Sequence, residues 1–299
     1  MASASLDARR TTSVHDILAS GGAAARGHLS GLQGQTVVIK YGGSAMAKPG
    51  LRDLFSRDIA LATTLGIRPV VVHGGGPQID RLMKRLGKNP HFIGGLRVTD
   101  DETMDIVEMI LAGSINKEIV GAIGVHGGRA VGLCGGDGGL IRANRRHHVL
   151  PDGREIDLGR VGEVKAVSPE PLELLQDHGF VPVLAPLGIG PAGELLNINA
   201  DLVAGDVAAA LGAVKVIFLS DVPGIRDRDG HLLPRVTLLE IDALIQHGVI
   251  EGGMLPKVEA CRRALKGGVG SAHIVDGRLP NALLLKLFTH TGLGTEVVL

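Results

Sequence analysis

Two lysines beside glycine-rich turns are the side chains with the clearest chemical potential in this sequence. Lys40 directly follows the apolar run 36–39 and stands two residues before the pair Gly42-Gly43. A buried strand of this kind delivers a fixed cation to its own end, where glycine N–H groups can approach an anion closely. Lys257 closes the stretch GGMLPK, whose proline suits the first turn of a helix. A lysine in a first turn opposes the helix dipole, and a bound anion would offset that cost.

A second glycine stretch, Gly74-Gly75-Gly76, follows the apolar run 69–73 and opens a predicted helix. Free N–H groups at such a turn favour a carboxylate or a phosphate, although a simple tight turn is the alternative. The spacing matches neither a Walker loop nor a dinucleotide fingerprint, and Arg97 occupies the neighbourhood in which a dinucleotide fold needs an acidic residue. This argues against an oxidoreductase. The guanidinium of Arg97 can instead bind a carboxylate in a bidentate manner, with a surface salt bridge as the alternative.

Other candidate residues allow more than one interpretation. Asp201 stands near a predicted helix start, where a structural carboxylate would stabilise the helix dipole, and Asn197 could serve as a cap or turn residue. Lys40 taken alone could be a solvated lysine at a strand end. No Ser-His-Asp or Cys-His arrangement stands out. Cys134 and Cys261 match no metal-ligand spacing, so we expect buried thiols in a reducing compartment and no protein-held metal.

The composition excludes several classes of partner. Lysine plus arginine equals aspartate plus glutamate at 31 each, which argues against a nucleic acid or a membrane surface as the partner. No window approaches the ~18 uninterrupted apolar residues of a membrane helix, and the first residues lack the apolar core of a signal peptide. The expectation is a cytoplasmic protein.

Strand and helix patterns alternate along most of the chain. The predicted strands cover 36–41, 69–73, 129–133, 180–185, 214–219, 272–275 and 295–298, and the predicted helices cover 51–65, 77–86, 99–115, 169–178, 197–211, 237–247, 256–266 and 281–288. Residues 140–167 and 226–235 are predicted to form hairpins. This order predicts an α/β fold with a mostly parallel sheet covered on both faces. Ligands bind such sheets at the carboxyl ends of the strands, where the glycine turns and charged residues fall.

Six motifs occur in order: KYGGSAM at 40–46, HGGGPQID at 73–80, GLRVTD at 95–100, NINAD at 197–201, SDVPGI at 220–225 and GGMLPK at 252–257. Together they closely resemble the motifs of N-acetylglutamate kinases in the amino acid kinase family, and the resemblance covers residues 34–299. It implies a three-layer αβα sandwich with two lobes, 36–212 for the amino acid and 213–299 for the nucleotide. Residues 1–35 are predicted to be an N-terminal extension, either a mobile tail or a helix that docks on another subunit.

The resemblance also implies a reaction. ATP would phosphorylate the side-chain carboxylate of N-acetyl-L-glutamate in arginine biosynthesis, with Mg²⁺ carried by the nucleotide phosphates. A carboxylate is already a nucleophile, which agrees with the lack of a recognisable general base. The family pattern implies three sets of site residues: catalytic Lys40, Lys257 and Asp201; substrate-binding Gly43, Gly75, Gly76, Arg97 and Asn197; and nucleotide-binding Asp221, Gly224 and Gly253.

Regulation and exact substrate are less closely defined. The N-terminal extension and the tail around His273 and 292–295 resemble arginine-inhibited members, which assemble as hexamers of three dimers. Lys286 stands where those members usually have a glutamate, and its charge would repel arginine. A homo-oligomer, dimer or hexamer, is expected, with L-arginine as a candidate inhibitor. The alternatives are a kinase of acetylaminoadipate or of carrier-linked glutamate, and a non-catalytic amino-acid sensor. Retention of both lysines and Asp201 argues against a sensor.

Overall fold

The structure, a computed structural model, describes residues 29–43, 46, 48–150, 153–289 and 292–299. Most of the predicted N-terminal extension, residues 1–28, therefore lies outside the described part of the chain. Within the described part, the predicted alternation of strands and helices is confirmed, with differences of a few residues at the element ends.

A central sheet of eight strands organises the fold, in the order β12-β14-β13-β11-β1-β2-β8-β5. Its strands are β1 (Thr36–Tyr41), β2 (Arg68–His73), β5 (Ala130–Cys134), β8 (Val181–Ala185), β11 (Lys215–Ser220), β12 (Arg235–Thr237), β13 (Ser271–Asp276) and β14 (Thr295–Val298). All neighbours pair in parallel except β13 and β14, which are antiparallel. The predicted, mostly parallel sheet is therefore confirmed. Its central strand β1 carries Val37, Val38 and Ile39, which are at most 1% exposed because both faces of the sheet are covered.

Helices cover both faces of this sheet. They are α1 (Pro49–Thr64), α2 (Gly76–Arg85), α3 (Asp101–Glu108), α4 (Asn116–Val125), α5 (Glu170–Asp177), α6 (Ala200–Ala210), α7 (Leu238–Gln246), α8 (Met254–Lys266) and α9 (Ala282–Phe288). One apolar core contains Ile59 and Ile123 together with Leu284, from α1, α4 and α9. The other contains Val207 and Val258, from α6 and α8. Helix, sheet and helix layers thus form the expected αβα sandwich.

The helix predicted over 99–115 is longer than its sequence pattern indicated. The Asp100 side chain accepts a hydrogen bond from the Thr103 N–H and is the N-cap of α3. The chain then continues through a π-helical segment, Met109–Ile115, directly into α4. A π-helical segment widens the turn without ending the helix, so apolar periodicity gave no sign of a boundary or of the extension.

The predicted hairpin over 140–167 is confirmed as β6 (Ile141–Val149) and β7 (Glu155–Val167). Two short strands, β9 (Leu187–Ile189) and β10 (Leu195–Asn197), close it into a small four-stranded barrel. These two strands were not predicted, because three residues are too few to show a period. The segment between the helices predicted over 77–86 and 99–115 contains another short hairpin, β3 (Phe92–Ile93) with β4 (Leu96–Arg97).

The hairpin predicted over 226–235 is confirmed as a short one that turns at Asp229-Gly230. An antiparallel bridge joins Arg226 and Leu232, and backbone hydrogen bonds run across it from the Asp227 N–H to the His231 carbonyl and from the Leu233 N–H to the Ile225 carbonyl. Beyond it, β12 pairs in parallel with β14. The Asp227 carboxylate accepts hydrogen bonds from the N–H groups of Asp229 and His231. These side-chain bonds add to the backbone bonds that hold the turn of this hairpin.

Candidate active site

Asp201 lies between the two lysines that the sequence singled out. Lys40 Nζ is 2.9 Å from Asp201 Oδ1, and Lys257 Nζ donates a hydrogen bond to Asp201 Oδ2 at 2.9 Å. The three residues come from the end of β1, the first turn of α6 and the first turn of α8. The structure therefore brings all three predicted catalytic residues into one cluster.

Local sequence explains how each element delivers its side chain. The Asn199 side chain accepts hydrogen bonds from the N–H groups of Asp201 and Leu202, so Asn199 is the N-cap of α6. A Cβ at Gly205 would lie 3.2 Å from the Ala260 Cα, so a glycine lets α6 and α8 approach closely. This close packing brings Lys257 within reach of Asp201.

The cluster is buried and carries a net positive charge. The side chains of Lys40, Asp201 and Lys257 are 10%, 6% and 15% exposed. Burial alone would raise the pKa of Asp201, but the ammonium groups of Lys40 and Lys257 outweigh it and hold that pKa below its usual value. Asp201 is therefore ionised at neutral pH. Two cations facing one anion leave one positive charge, as a site for an anionic ligand requires.

The two glycine turns lie side by side because their strands, β1 and β2, are neighbours. The Gly74 N–H donates to the Tyr41 carbonyl at 2.8 Å, and a Cβ at Gly74 would be 3.8 Å from the Gly42 Cα. A Cβ at Gly42 would lie 2.6 Å from Lys40 Nζ, so the absence of a side chain at Gly42 leaves room for the ammonium group. Gly43 has a positive φ of 65°, and a Cβ there would be 3.7 Å from the Asp221 carboxyl carbon. Predicted Gly43 and Asp221 are thus also neighbours.

Arg97 is buried and linked to two other predicted residues. One guanidinium nitrogen, Nη1, is 2.6 Å from Asp80 Oδ1, and the other, Nη2, is 3.4 Å from the Gly76 carbonyl oxygen. Asn197 Nδ2 donates to Thr99 Oγ1, which in turn donates to the Arg97 carbonyl. A cleft of about 140 Å³ runs between Arg97 and Asn197. Arg97 and Asn197 thus line one cavity, and Gly76 adjoins it through its contact with Arg97.

The predicted nucleotide-binding residues are more dispersed. Gly224 lines a second cleft, of about 240 Å³, between the chain that follows β11 and the start of α8. Its φ is 145°, and a Cβ there would be 3.0 Å from the Thr295 backbone nitrogen, so only glycine fits without strain. Gly253 is the N-cap residue of α8. Asp221 lies outside this cleft, against Gly43.

The donor set of the lysine cluster does not fit a protein-held Mg²⁺. Both carboxylate oxygens of Asp201 already face an ammonium group. Across the residues that the structure describes, the one group of side chains spaced for a metal ion is Asp227, Asp229 and His231. These three lie in a solvent-facing loop and are linked by hydrogen bonds of their own.

Sequence reasoning missed three residues that support the site. Asp80 pairs with Arg97, and buried His73 and Asn116 contact each other behind the second glycine turn. His73 and Asp80 are the first and last residues of the motif HGGGPQID, which was the one available signal for them. Nothing near Asn116 in the sequence connects it with His73.

Lys286 Nζ donates to the Leu293 carbonyl at 3.1 Å, and burial lowers the pKa of this lysine. Cys134 and Cys261 are both free. Cys261 is fully buried, as expected for a thiol that fills the core, whereas Cys134 is only partly buried, so the expectation of a buried thiol is wrong there. Among the helices that the structure describes, none is long and apolar enough to span a membrane.

Comparison with known proteins identifies the family. The model of the amino acid kinase family matches residues 35–276. The chain belongs to the amino acid kinase family. Acetylglutamate kinase of Geotalea uraniireducens is 53% identical over 89% of this chain and 92% of its own length. Acetylglutamate kinase of Acinetobacter baylyi is 53% identical over 90% of each chain. The resemblance that the six motifs carry is thereby confirmed.

Solved structures agree on the fold. N-acetylglutamate synthase of Neisseria gonorrhoeae, in complex with coenzyme A and N-acetyl-glutamate, superposes with a TM-score of 0.82 at 27% identity. That match covers 94% of this amino acid kinase and 63% of the synthase chain. Carbamate kinase of Giardia superposes with a TM-score of 0.65 over 89% of this chain and 99% of its own. At 17% identity, the second likeness concerns the fold alone.

Proposed function

We propose that this amino acid kinase transfers the γ-phosphoryl group of ATP to the side-chain carboxylate of N-acetyl-L-glutamate, a step of arginine biosynthesis. The product is the acyl phosphate, N-acetyl-L-glutamyl 5-phosphate. The main support for this proposal is the pair of lysines that Asp201 holds at the carboxyl ends of the strands. The similarity to acetylglutamate kinases over about nine-tenths of the chain supports the choice of acceptor.

The reaction needs positioning and charge stabilisation more than proton transfer. A carboxylate oxygen attacks the γ-phosphorus, the bond from phosphorus to the bridging oxygen breaks, and ADP leaves with those electrons. In our proposal Lys40 and Lys257 stabilise the oxygens of the transferring group, with the N–H groups of Gly43 and Gly75 as further donors. A donor of this kind typically contributes ~3 kcal/mol to the transition state. Asp201 keeps the two ammonium groups apart and aimed at the same place.

The two reactants would occupy different lobes. We assign N-acetylglutamate to lobe 36–212, with Arg97 on its α-carboxylate and with Gly76 and Asn197 lining the pocket. We assign ATP to lobe 213–299, near Asp221, Gly224 and Gly253. Mg²⁺ would enter with the nucleotide phosphates, since the Asp201 oxygens are taken by the lysines.

The decisive assay measures ADP release with three acceptor conditions: N-acetylglutamate, acetylaminoadipate and no acceptor. Hydroxylamine in the same reaction converts an acyl phosphate to a hydroxamate, which separates phosphoryl transfer from ATP hydrolysis. We expect acetylglutamate-dependent ADP and one hydroxamate per ADP. Equal ADP release with and without acceptor would remove the kinase proposal. Faster turnover with acetylaminoadipate would reassign the substrate, because one methylene changes binding by only ~1–3 kcal/mol.

We further propose a cytoplasmic homo-oligomer in which L-arginine is a candidate inhibitor. N-acetylglutamate synthase of Neisseria gonorrhoeae, 25% identical, has been solved with coenzyme A and L-arginine. Lys286 opposes arginine binding at the tail of this chain, because its ammonium group would repel the guanidinium. Titration of the activity with L-arginine tests inhibition, and sedimentation of the intact chain measures the subunit number. Unchanged rates at saturating arginine would exclude the inhibition.

A further inference from the structure

His73, the last residue of β2, connects the second glycine turn with the helix layer behind it. Its side chain is completely buried, and both ring nitrogens have a partner. Nδ1 lies 3.0 Å from the Gly74 carbonyl oxygen, and Nε2 lies 3.3 Å from Asn116 Nδ2. Asn116 begins α4, directly after the π-helical segment.

The surroundings of Asn116 determine how its amide is oriented. Asn116 Nδ2 lies 2.8 Å from the Val183 carbonyl and 3.3 Å from the Leu133 carbonyl. Carbonyl oxygens only accept hydrogen bonds, so the amide nitrogen must be the atom that faces them. On the other side, Lys117 Nζ donates to Asn116 Oδ1 at 3.1 Å. The amide is thus held from both ends, and its NH₂ group faces His73.

This orientation selects one tautomer of His73. Asn116 Nδ2 shares its two hydrogens among three neighbouring acceptors and cannot itself accept, so Nε2 of His73 cannot donate to it and the ring proton resides on Nδ1. The Nδ1–H then donates to the Gly74 carbonyl, which can only accept. The partners of both ring nitrogens therefore indicate the same tautomer. Burial lowers the pKa of His73 to about 4 against the opposing effect of the Gly74 carbonyl. The ring is therefore neutral at pH 7.

The bond to the Gly74 carbonyl has a consequence for the next N–H group. In a trans peptide the C=O and the following N–H point in opposite directions. Because the Gly74 carbonyl points toward His73, the Gly75 N–H points away from His73. Among the residues that the structure describes, the Gly75 N–H has no hydrogen-bond acceptor. A Cβ at Gly75 would be 2.6 Å from Ile115 Cδ1, and Leu111 crowds the same side, so the π-helical segment packs directly on this turn.

We propose that His73 and Asn116 are positioning residues that hold the Gly74–Gly75 peptide with its N–H aimed at the oxygens of the transferring phosphoryl group. The relay runs from Asn116 Nδ2 to His73 Nε2, and from His73 Nδ1 to the Gly74 carbonyl. It preorganises a backbone donor, so no rotation of the peptide is needed as charge develops in the transition state. This inference rests on the role proposed above for the Gly75 N–H.

The tautomer is measured on the wild-type protein by imidazole ¹⁵N NMR. We expect His73 to carry its proton on Nδ1 and to stay neutral down to about pH 5, below the titration of exposed histidines near 6.5. A proton on Nε2, or a doubly protonated ring at pH 6, would overturn the relay. This measurement needs neither turnover nor an altered chain.

The contribution to catalysis is tested with two substitutions of His73. His73→Asn keeps an N–H donor near the position of Nδ1, whereas His73→Leu removes it. We expect His73→Leu to lower kcat by about 10- to 100-fold, part of the loss seen when a donor is removed outright. ATP binding, measured by equilibrium titration, should change less than about threefold, because the lysines are untouched. His73→Asn should recover most of kcat.

Gln176→Leu is the matched control, since Gln176 is a buried amide that hydrogen-bonds Thr36 and the Arg68 carbonyl. It should lower Tm but leave kcat per folded molecule unchanged. If His73→Leu lowers kcat no more than this control does, or if His73→Asn is as slow as His73→Leu, the positioning role is wrong. Absence of acetylglutamate-dependent turnover in the wild type would instead count against the proposed function, while the NMR result would still decide the relay.

Discussion

Lys257 Nζ lies 2.9 Å from Asp201 Oδ2, across the contact between α8 and α6. The opposite oxygen of the same carboxylate faces Lys40, so one buried anion separates two buried cations. The ammonium groups repel each other without that anion. Asp201 therefore controls both the stability and the geometry of the cluster, and substitutions of these residues should separate the two effects.

Asp201→Asn removes the central charge with almost no change in size. The two lysines then repel, and we expect a lower Tm and a fall in kcat of about 100-fold or more, because they lose their common alignment. ATP should restore more of the Tm in the variant than it adds to the wild type, since its phosphates supply the missing negative charge. Thermal unfolding with and without ATP, together with kcat, measures these effects.

Asp206→Asn is the control for this substitution, because Asp206 lies on the same helix and pairs with Arg263. It should leave kcat within about twofold. An Asp201→Asn enzyme with wild-type turnover would contradict the bridging role of the carboxylate.

Lys257→Ala should reduce turnover far more than it weakens ATP binding. A contact realised mainly in the transition state affects kcat, and ~3 kcal/mol corresponds to a fall on the order of 100-fold. Initial rates and the Kd for ATP, determined separately, make the comparison. Lys266→Ala, at the exposed end of the same helix, should leave both values unchanged. A Lys257→Ala enzyme that turns over normally would remove Lys257 from the mechanism.

Arg97→Lys tests the assignment of the amino-acid pocket. Lysine keeps the charge but loses the planar fork that binds a carboxylate with two parallel bonds. We expect the KM for N-acetylglutamate to rise about 10-fold or more, with the KM for ATP unchanged. Arg160→Lys is the control, because Arg160 pairs with Asp101 at the surface. Equal rises in both KM values would indicate a general structural defect.

Asp58→Asn tests a buried carboxyl group outside the site. Burial raises the pKa of Asp58 from 3.8 to about 7, despite the opposing charge of Arg57 and a hydrogen bond from the Leu284 backbone. The folded chain therefore binds this proton more tightly than the unfolded chain, and stability is lost as the pH rises from 3.8 to about 7. Asparagine resembles the protonated form at every pH. We expect Asp58→Asn to be more stable than the wild type at pH 8, on the order of 3–4 kcal/mol, and to keep only about a third of that gain at pH 5, where the unfolded carboxyl has already lost its proton.

Denaturant unfolding at the two pH values measures this difference. Asp53→Asn is the control, because Asp53 lies on the same helix and is exposed. A stability gain for Asp58→Asn that is the same at pH 5 and pH 8 would show that ionisation of Asp58 is not its cause.

The features that sequence predicted well depend on neighbouring residues. The apolar run before Lys40 predicted β1, and the helices predicted over 99–115 and 197–211 begin close to those starts, each at a side-chain cap, Asp100 and Asn199. Glycine turns after apolar strands also indicated where the site would lie. Strand period, capping and turn conformation are set within a few residues, so local patterns are sufficient to show them.

Contacts between distant segments were beyond the reach of such patterns. The strands of the small barrel are too short to show a period. The π-helical segment that packs on Gly75 could not be recognised from the spacing of apolar residues in the sequence. Both features depend on contacts with residues far away in the sequence, and the spacing of apolar residues within a short segment does not report such contacts.

The sequence by itself determined the layered α/β class, the glycine turns and, through six ordered motifs, the family to which the chain belongs. Only the tertiary structure decided that one carboxylate, Asp201, would hold Lys40 and Lys257 together, and that Asn116 would orient His73. The physical reason is that a parallel sheet gathers the ends of strands and helices that are far apart along the chain. Which side chains meet there depends on packing, and packing is a property of the whole fold.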